Sequence, residues 1–324
     1  MPYSRQELLA WDTMSKDRFR EITTDLLHKL VENKKLTLAE SKFICLKTKN
    51  IFKAEDDSLA FKATEYSQCD DFLFWDKYLL YWNDHEGWGN IKNGPETFVT
   101  KEEKVGDVKF LNDHYLQWKA FIEAGKFDNG ILQTVANETM RLTREISDLS
   151  KSMGEGANRQ RYIEKALILH SKYLYYQVAE YYEENPAEEQ LTLCGHLIVI
   201  DHFVYIHTLF AHFAATVKFN RPGKTYHTTN HIDFRNIPKV IKDILTDYNQ
   251  AAKCANFNSE RIYFNLKGTD YAIWFRAMTR SIKGKGQESY LRVQTFYPVE
   301  LPEELGKLRS MIVIKANQHL SIYN

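Results

Sequence analysis

The sequence predicts an α+β protein: a mainly helical N-terminal half, residues 1–187, followed by a C-terminal helix-plus-antiparallel-meander domain, residues 188–324. Three observations carry this reading. Apolar residues recur at helical spacing through the first half. An acidic run around Pro186, with Glu183, Glu184, Glu188 and Glu189, interrupts that pattern and reads as a solvated linker. Beyond it, short segments with a two-residue apolar alternation replace the helical period.

The helical half is argued element by element. Ile22, Leu26, Leu27 and Leu30 mark a helix near Phe19 to Glu32. Thr37 and Glu40 in TLAE have the spacing of a capping box, in which each side chain satisfies the other's free backbone N–H. A helix should start there. The string DFLFWDKYLLYW, residues 71–82, is too aromatic for a solvated face and reads as a buried helix, with a strand as the alternative; Trp75, Tyr78, Trp82 and Trp88 read as core, with a ligand-pocket lining as the alternative. Asn83 to Glu96 is rich in Gly, Asn and Pro and reads as a loop. Helical patterns resume at Asp113 to Ala124, Ile131 to Ser150 and Arg159 to Glu184, the last two separated by Gly154 and Gly156.

In the second half, LTLCGHLIVI, residues 191–200, reads as one short buried strand, and residues 201–213 as a helix bearing His and Phe. Ile237 to Tyr248 is amphipathic, with Ile237, Ile241, Ile244, Leu245 and Tyr248 on its apolar side. In RIYFNLK, Ile262, Phe264 and Leu266 alternate with Tyr263, Asn265 and Lys267. The string Lys267-Gly268-Thr269-Asp270 then predicts a hairpin into YAIWFRAM, and YLRVQTFY, residues 290–297, the next strand.

Composition bounds the function classes. With 324 residues, 44% apolar and 14% aromatic, the chain can bury sizeable cores, and 7 prolines and 14 glycines argue against low complexity. No run approaches the roughly 18 apolar residues of a membrane span, and the first residues lack the apolar core of a signal peptide. Cys45, Cys69, Cys194 and Cys254 are far apart in sequence, which argues against a disulfide scaffold and makes a reducing, cytoplasmic setting the default. Charge is uneven: from Leu191 onward there are 17 Lys and Arg against 10 Asp and Glu, a formal +7, whereas residues 1–190 carry 26 against 33, a formal −7. A basic C-terminal part favours an anionic partner by Coulomb attraction.

Six of the eleven histidines lie between residues 196 and 231: His196, His202, His207, His212, His227 and His231. Histidine exchanges protons near neutral pH without a special environment. No HExxH-type spacing licenses a metal site. His207 and His212, five residues apart, fall about 140° apart round an α-helix, on different faces. His227 and His231 are four apart, but Thr228, Thr229 and Asn230 between them favour a loop. Asp201 and Asp233 have no spacing that fixes them beside a metal. A metal-free acid–base site suits the pattern better, with Lys267, Arg276 and Arg292 as cations on neighbouring strands. Thr295 and Tyr297 share one strand face, and Tyr271, Trp274 and Tyr297 are available to stack on an unpaired base.

The order of a His-bearing helix (HTLFAH), a second His segment (TYHTTNH), an amphipathic helix and a β-meander ending in TFYP resembles the barnase–EndoU–colicin–RelE superfamily of small metal-independent ribonucleases, particularly its phage-associated branches. The resemblance covers roughly residues 196–300. It implies a toxin-like α+β endoribonuclease without cofactor, acting on RNA. It also implies two catalytic histidines, His207 or His212 and His227 or His231, with Lys267 as the lysine and Thr295-Phe296-Tyr297 as the Ser/Thr-x-Tyr element. Arg276, Arg292 and Tyr271 would then bind substrate. Two other readings stand beside it: a non-enzymatic interaction protein with structural histidines, and a metal-dependent hydrolase. Lys283 and Lys285 in KGKG read as a solvated turn, and Gly284 and Gly286 lack the context of a phosphate loop.

Overall fold

The computed structural model describes residues 3–55, 61–81, 100–154, 156–213, 223–227, 231–251, 254, 257–284 and 286–324. The loop expected at Asn83 to Glu96, Trp82, Trp88 and Lys285 lie outside them. The chain is α+β and divides into two compact units. Residues up to 83, with 100–124 and 168–185, form the first; residues 125–167 and 186–324 form the second. One edge between the units falls between residues 185 and 186. The stretch 125–167, by contrast, groups with the C-terminal part, because its main helix packs on the helix that carries His207.

The first unit contains α1 (Arg5–Leu9), α2 (Lys16–Val31), α3 (Leu38–Glu55), α4 (Asp70–Tyr81), α5 (Lys101–Glu123) and most of α7 (Ala157–Glu184). The capping box expected at Thr37 forms: the Thr37 N–H donates to Glu40 at 3.0 Å and the Glu40 N–H to the Thr37 hydroxyl at 3.1 Å. A second box, Thr100 with Glu103, starts α5 twelve residues before the apolar periodicity begins at Asp113, since its first turns are polar. In α4, Phe72, Phe74, Trp75 and Tyr78 are buried, and Tyr173 of α7 stacks against Tyr78 at 4.9 Å. The Glu180 carboxylate is buried but doubly compensated, by Arg5 at 2.9 Å and Lys42 at 2.7 Å.

The second unit is built on a seven-stranded mixed sheet in the order β1-β2-β5-β4-β3-β7-β6. LTLCGHLIVI is two strands, not one: β1 (Glu188–Leu193) and β2 (His196–Asp201) form a hairpin about Cys194-Gly195. Both turn residues adopt positive φ, 49° and 82°, the geometry of a two-residue hairpin turn, and their apolar flanks disguise it in the sequence. α8 (His202–Thr208) follows and widens into a π-helical turn, Leu209–Phe213. α9 (Ile237–Ala251) buries the five apolar residues expected of it and packs on β1 and β2. β3 (Arg261–Leu266) and β4 (Thr269–Ile282) form the expected hairpin, with Lys267 and Gly268 at φ 52° and 88°. β5 (Gly286–Pro298) runs antiparallel to β4 and parallel to β2.

The chain end adds α10 (Pro302–Leu308), β6 (Val313–Lys315) and β7 (Leu320–Tyr323), for which the periodicity gave no signal; β7 extends the sheet beyond β3. Cys194 and Cys254 are disulfide-bonded, joining the β1–β2 turn to the chain just after α9. This corrects the expectation of unpaired cysteines and removes the cysteine argument for a reducing compartment. Cys45 and Cys69 are free, buried thiols, as expected. Among the described residues no helix is long and apolar enough to cross a membrane.

Candidate active site

The second unit holds a cavity of about 300 Å³ lined by residues from six parts of the chain. α8 and its π turn supply His207 and His212; the segment 223–227 supplies Lys224 and Thr225; β3 supplies Arg261; β4 and β5 supply Trp274, Thr295 and Tyr297; α10 supplies Glu304. Of the seven catalytic candidates from the sequence, four therefore meet here: His207, His212, Thr295 and Tyr297.

The π turn explains how the two imidazoles come together. An α-helical spacing of five would hold them on different faces. In a π turn the N–H bonds reach back five residues, so the helix is wider there and the angular offset shrinks. The rings of His207 and His212 end 6.3 Å apart, inclined at 67°.

Each ring nitrogen Nδ1 is committed. His212 Nδ1 lies 2.9 Å from the Thr225 carbonyl, which can only accept, so Nδ1 carries the proton and Nε2 keeps its lone pair. The ring stacks on Tyr297 at 5.3 Å, and burial holds its pKa well below the ordinary histidine value. His212 is thus a neutral imidazole at pH 7. His207 Nδ1 lies 2.8 Å from Glu138 Oε2 on α6 (Gly130–Ser152). The Phe203 ring stacks on its face at 5.5 Å.

The opposite wall is a carboxylate cluster. Glu304 Oε1 accepts from Arg261, from Tyr263 at 3.2 Å and from Tyr297 at 3.0 Å. Burial, with the adjoining Glu304 charge, raises the Tyr297 pKa, so its hydroxyl stays a donor. Two hydroxyls in the wall are different: Thr225 Oγ1 and Thr295 Oγ1 are buried and have no hydrogen-bond partner among the described residues. Such groups are costly to leave unmade and point to a polar ligand. Trp274 pairs with Thr295 across β4 and β5, beside a β-bulge, and stays 45% exposed at the rim.

The other candidates lie elsewhere. His227 is a core residue: its Nε2 donates to the Phe296 carbonyl at 3.2 Å, its ring stacks on Tyr271 at 5.5 Å, and burial lowers its pKa to about 4. His231 and Lys267 sit at the β3–β4 turn, where His231 faces Thr269 and the Lys267 N–H donates to the His319 carbonyl. Tyr271 is fully buried against Phe264 and Phe296, so it offers no face to a base. Arg276 is exposed on β4 opposite Arg292, and Arg292 is paired with Asp201 at 2.8 Å and lies over Phe203. His202 meets Thr134 at 3.0 Å, and His196 packs beside Phe257. Asp201 caps α8, and Asp233 caps the turn before α9.

Lys224, Thr225, Arg261, Glu304 and Glu138 were not singled out as site residues in the sequence. Lys224 and Thr225 stand in the His segment KTYHTTNH, a signal for them; Arg261, Glu304 and Glu138 carry no motif and are recruited by the fold. Among the described residues no group of three or more His, Cys, Asp or Glu is placed to hold a metal ion. Compared with protein-family models, curated proteins and solved structures, the chain matches none.

Proposed function

We propose that this protein is a metal-independent endoribonuclease whose active site is the His207–His212 cavity. The observation that carries the reading is the meeting of two imidazoles of fixed hydrogen bonding with two buried, unpartnered hydroxyls and two cationic side chains in one cleft.

The parts suit cleavage by internal transesterification. His212, neutral and with Nε2 as its available lone pair, takes the proton from a ribose 2′-OH. The 2′ oxygen bonds to phosphorus as the bond from phosphorus to the 5′ oxygen breaks. His207 gives its proton to that leaving oxygen. Lys224 and Arg261 supply positive charge where the phosphorane develops, and Thr295 and Thr225 supply hydroxyls to its oxygens. Trp274 at the rim offers a stacking face to an unpaired base. The products are a 2′,3′-cyclic phosphate and a 5′-hydroxyl.

The test is incubation of purified protein with single-stranded RNA in EDTA, with end-group analysis. Cleavage to cyclic phosphate ends, lost in His207→Ala and His212→Ala, is the expected result. Cleavage that survives both replacements together refutes the site. A second reading, a pocket that binds a nucleotide without turnover, is favoured by the burial of His212. It predicts saturable RNA binding with intact ends.

A further inference from the structure

We infer that Glu138, on helix α6, is a positioning residue for His207: it fixes the tautomer and orientation of the imidazole and balances the charge the ring carries when protonated. This rests on the acid–base reading of the cavity and adds a residue from a segment that the sequence assigns to the other half of the protein.

The geometry has three parts. The Glu138 Oε2 to His207 Nδ1 distance is 2.8 Å. A carboxylate that is ionised can only accept, so Nδ1 carries a proton and Nε2 is left to face the cavity. The carboxylate is buried, at 7% exposure, and is itself held by Arg141, through Nε at 3.2 Å and Nη2 at 2.9 Å. Burial alone would raise the Glu138 pKa; the hydrogen bonds from His207 and Arg141 outweigh it and bring it down to about 2. It is therefore an anion at neutral pH.

The support is rigid. Thr134, one turn before Glu138, accepts from His202 Nε2 at 3.0 Å, since its own hydroxyl proton goes to the Gly130 carbonyl. Two contacts, Thr134–His202 and Glu138–His207, thus dock α6 along α8. A carboxylate delivered from a packed helix keeps its partner's orientation better than one on a loop. The charged and titratable groups around the pair are Arg141 and Glu145 on α6, His212 from the π turn, and Lys224, which acts on His212. Among the described residues Arg141 and His207 are the hydrogen-bonding partners of the Glu138 carboxylate, so it is shared between one guanidinium and one imidazole.

The arrangement separates the two histidines by their acceptors. His212 gives its Nδ1 proton to a neutral carbonyl, and His207 gives its own to an anion. A carbonyl offers little to an imidazolium; a carboxylate offsets its charge. That asymmetry is what an acid and a base side by side need.

The test uses Glu138→Gln in the full chain, which keeps one carbonyl acceptor for the His207 N–H, replaces the other oxygen with an NH2 and removes the charge. Two readouts separate this inference from the nuclease reading. In the imidazole NMR spectrum, the His207 Nδ1 proton, far downfield beside a carboxylate, should move upfield in Glu138→Gln while that of His212 stays in place. In RNA cleavage, kcat should fall tenfold or more with KM within about twofold. An unchanged His207 Nδ1 resonance overturns the inference whether or not RNA is cleaved. Unchanged kcat in a cleaving protein overturns it too. Absence of cleavage by wild-type protein overturns the nuclease reading alone, and the resonance then decides the positioning. If Glu138→Gln fails to fold, Glu138→Asp keeps the charge for Arg141 and withdraws it from the ring by one methylene, and the same resonance is read.

Discussion

The ring centroids of His207 and His212 stand 6.3 Å apart at 67°, one hydrogen-bonded to a carboxylate and the other to a carbonyl. The unlike acceptors give the two replacements unlike consequences. His207→Ala and His212→Ala should each lower cleavage by about 100-fold or more, the usual worth of a general acid or base. His207→Ala also strips Glu138 of one of the partners that hold its pKa down. It should therefore make the fall in stability below pH 4.5 shallower than in the wild type, because less of the Glu138 contribution is left to lose. Urea midpoints of His207→Ala and wild type between pH 3 and 5 check this; equal slopes would contradict the assignment of Glu138 to His207.

Trp274 is the aromatic side chain of the cavity with the most open face. Its replacement by Ala should cost stability only modestly, because nearly half of the residue is exposed. RNA affinity should weaken by about 1–3 kcal/mol, the range for loss of one stacked base. Titration with a short single-stranded oligonucleotide, followed by anisotropy of a labelled strand, measures it. A variant that binds as tightly as the wild type removes Trp274 from the site.

Thr295 offers a test in which stability and activity move in opposite directions. Its Oγ1 is buried with no partner among the described residues, so the fold gains no hydrogen bond to offset the cost of burying it. Thr295→Val keeps the shape and removes that cost; stability should rise by about 1 kcal/mol. Cleavage should fall, because the hydroxyl is lost to the ligand. A variant both less stable and fully active would show that the hydroxyl serves the fold.

What the sequence made legible follows from what is local. The Lys267-Gly268 turn, the Thr37–Glu40 box and the apolar stripe of α9 are set by residues a few positions apart, and each forms as read. Thr295 and Tyr297 share a face because a strand has a period of two. His207 and His212 were separated by α-helical arithmetic, and only the π turn undoes that separation. Lys267 reads from its alternation as a strand lysine, yet it stands in the β3–β4 turn and does not line the cavity. His227 looked like its neighbours His212 and His231 until packing placed its ring against Tyr271 and Phe296. Arg261, Glu304 and Glu138 come from the start of β3, from α10 and from α6, distances in sequence that no spacing rule spans.

The disulfide between Cys194 and Cys254 closes a separation of 60 residues around α8, α9 and the His segment. A crosslink of that span stabilises by about 4 kcal/mol through the entropy it removes from the unfolded chain. Cys194→Ser should lower the unfolding midpoint to that of the wild type in excess reductant, and the same reductant should leave the variant unchanged. Thiol counting under denaturing conditions checks the pairing: two free thiols without reductant, four with it.

The buried histidines set the acid limit of the fold. His227 sits at about 4 because burial disfavours its charged form, and His212 is lowered for the same reason. In the unfolded chain both return to about 6.5. Between those values the unfolded state binds protons that the folded state does not, so stability rises with pH through this window. It is complete above pH 6.5 and is lost as pH falls from there toward 4, by about 3 kcal/mol for His227 at the low end. Carboxylates held low, such as Glu138, add their own loss only below pH 4.5, so the two effects separate. His227→Gln keeps a donor for the Phe296 carbonyl and cannot titrate. Its urea midpoint should therefore fall less steeply between pH 6.5 and 4.5 than that of the wild type. Equal slopes would mean that His227 charges freely in the folded protein, which its place between Tyr271 and Phe296 does not permit.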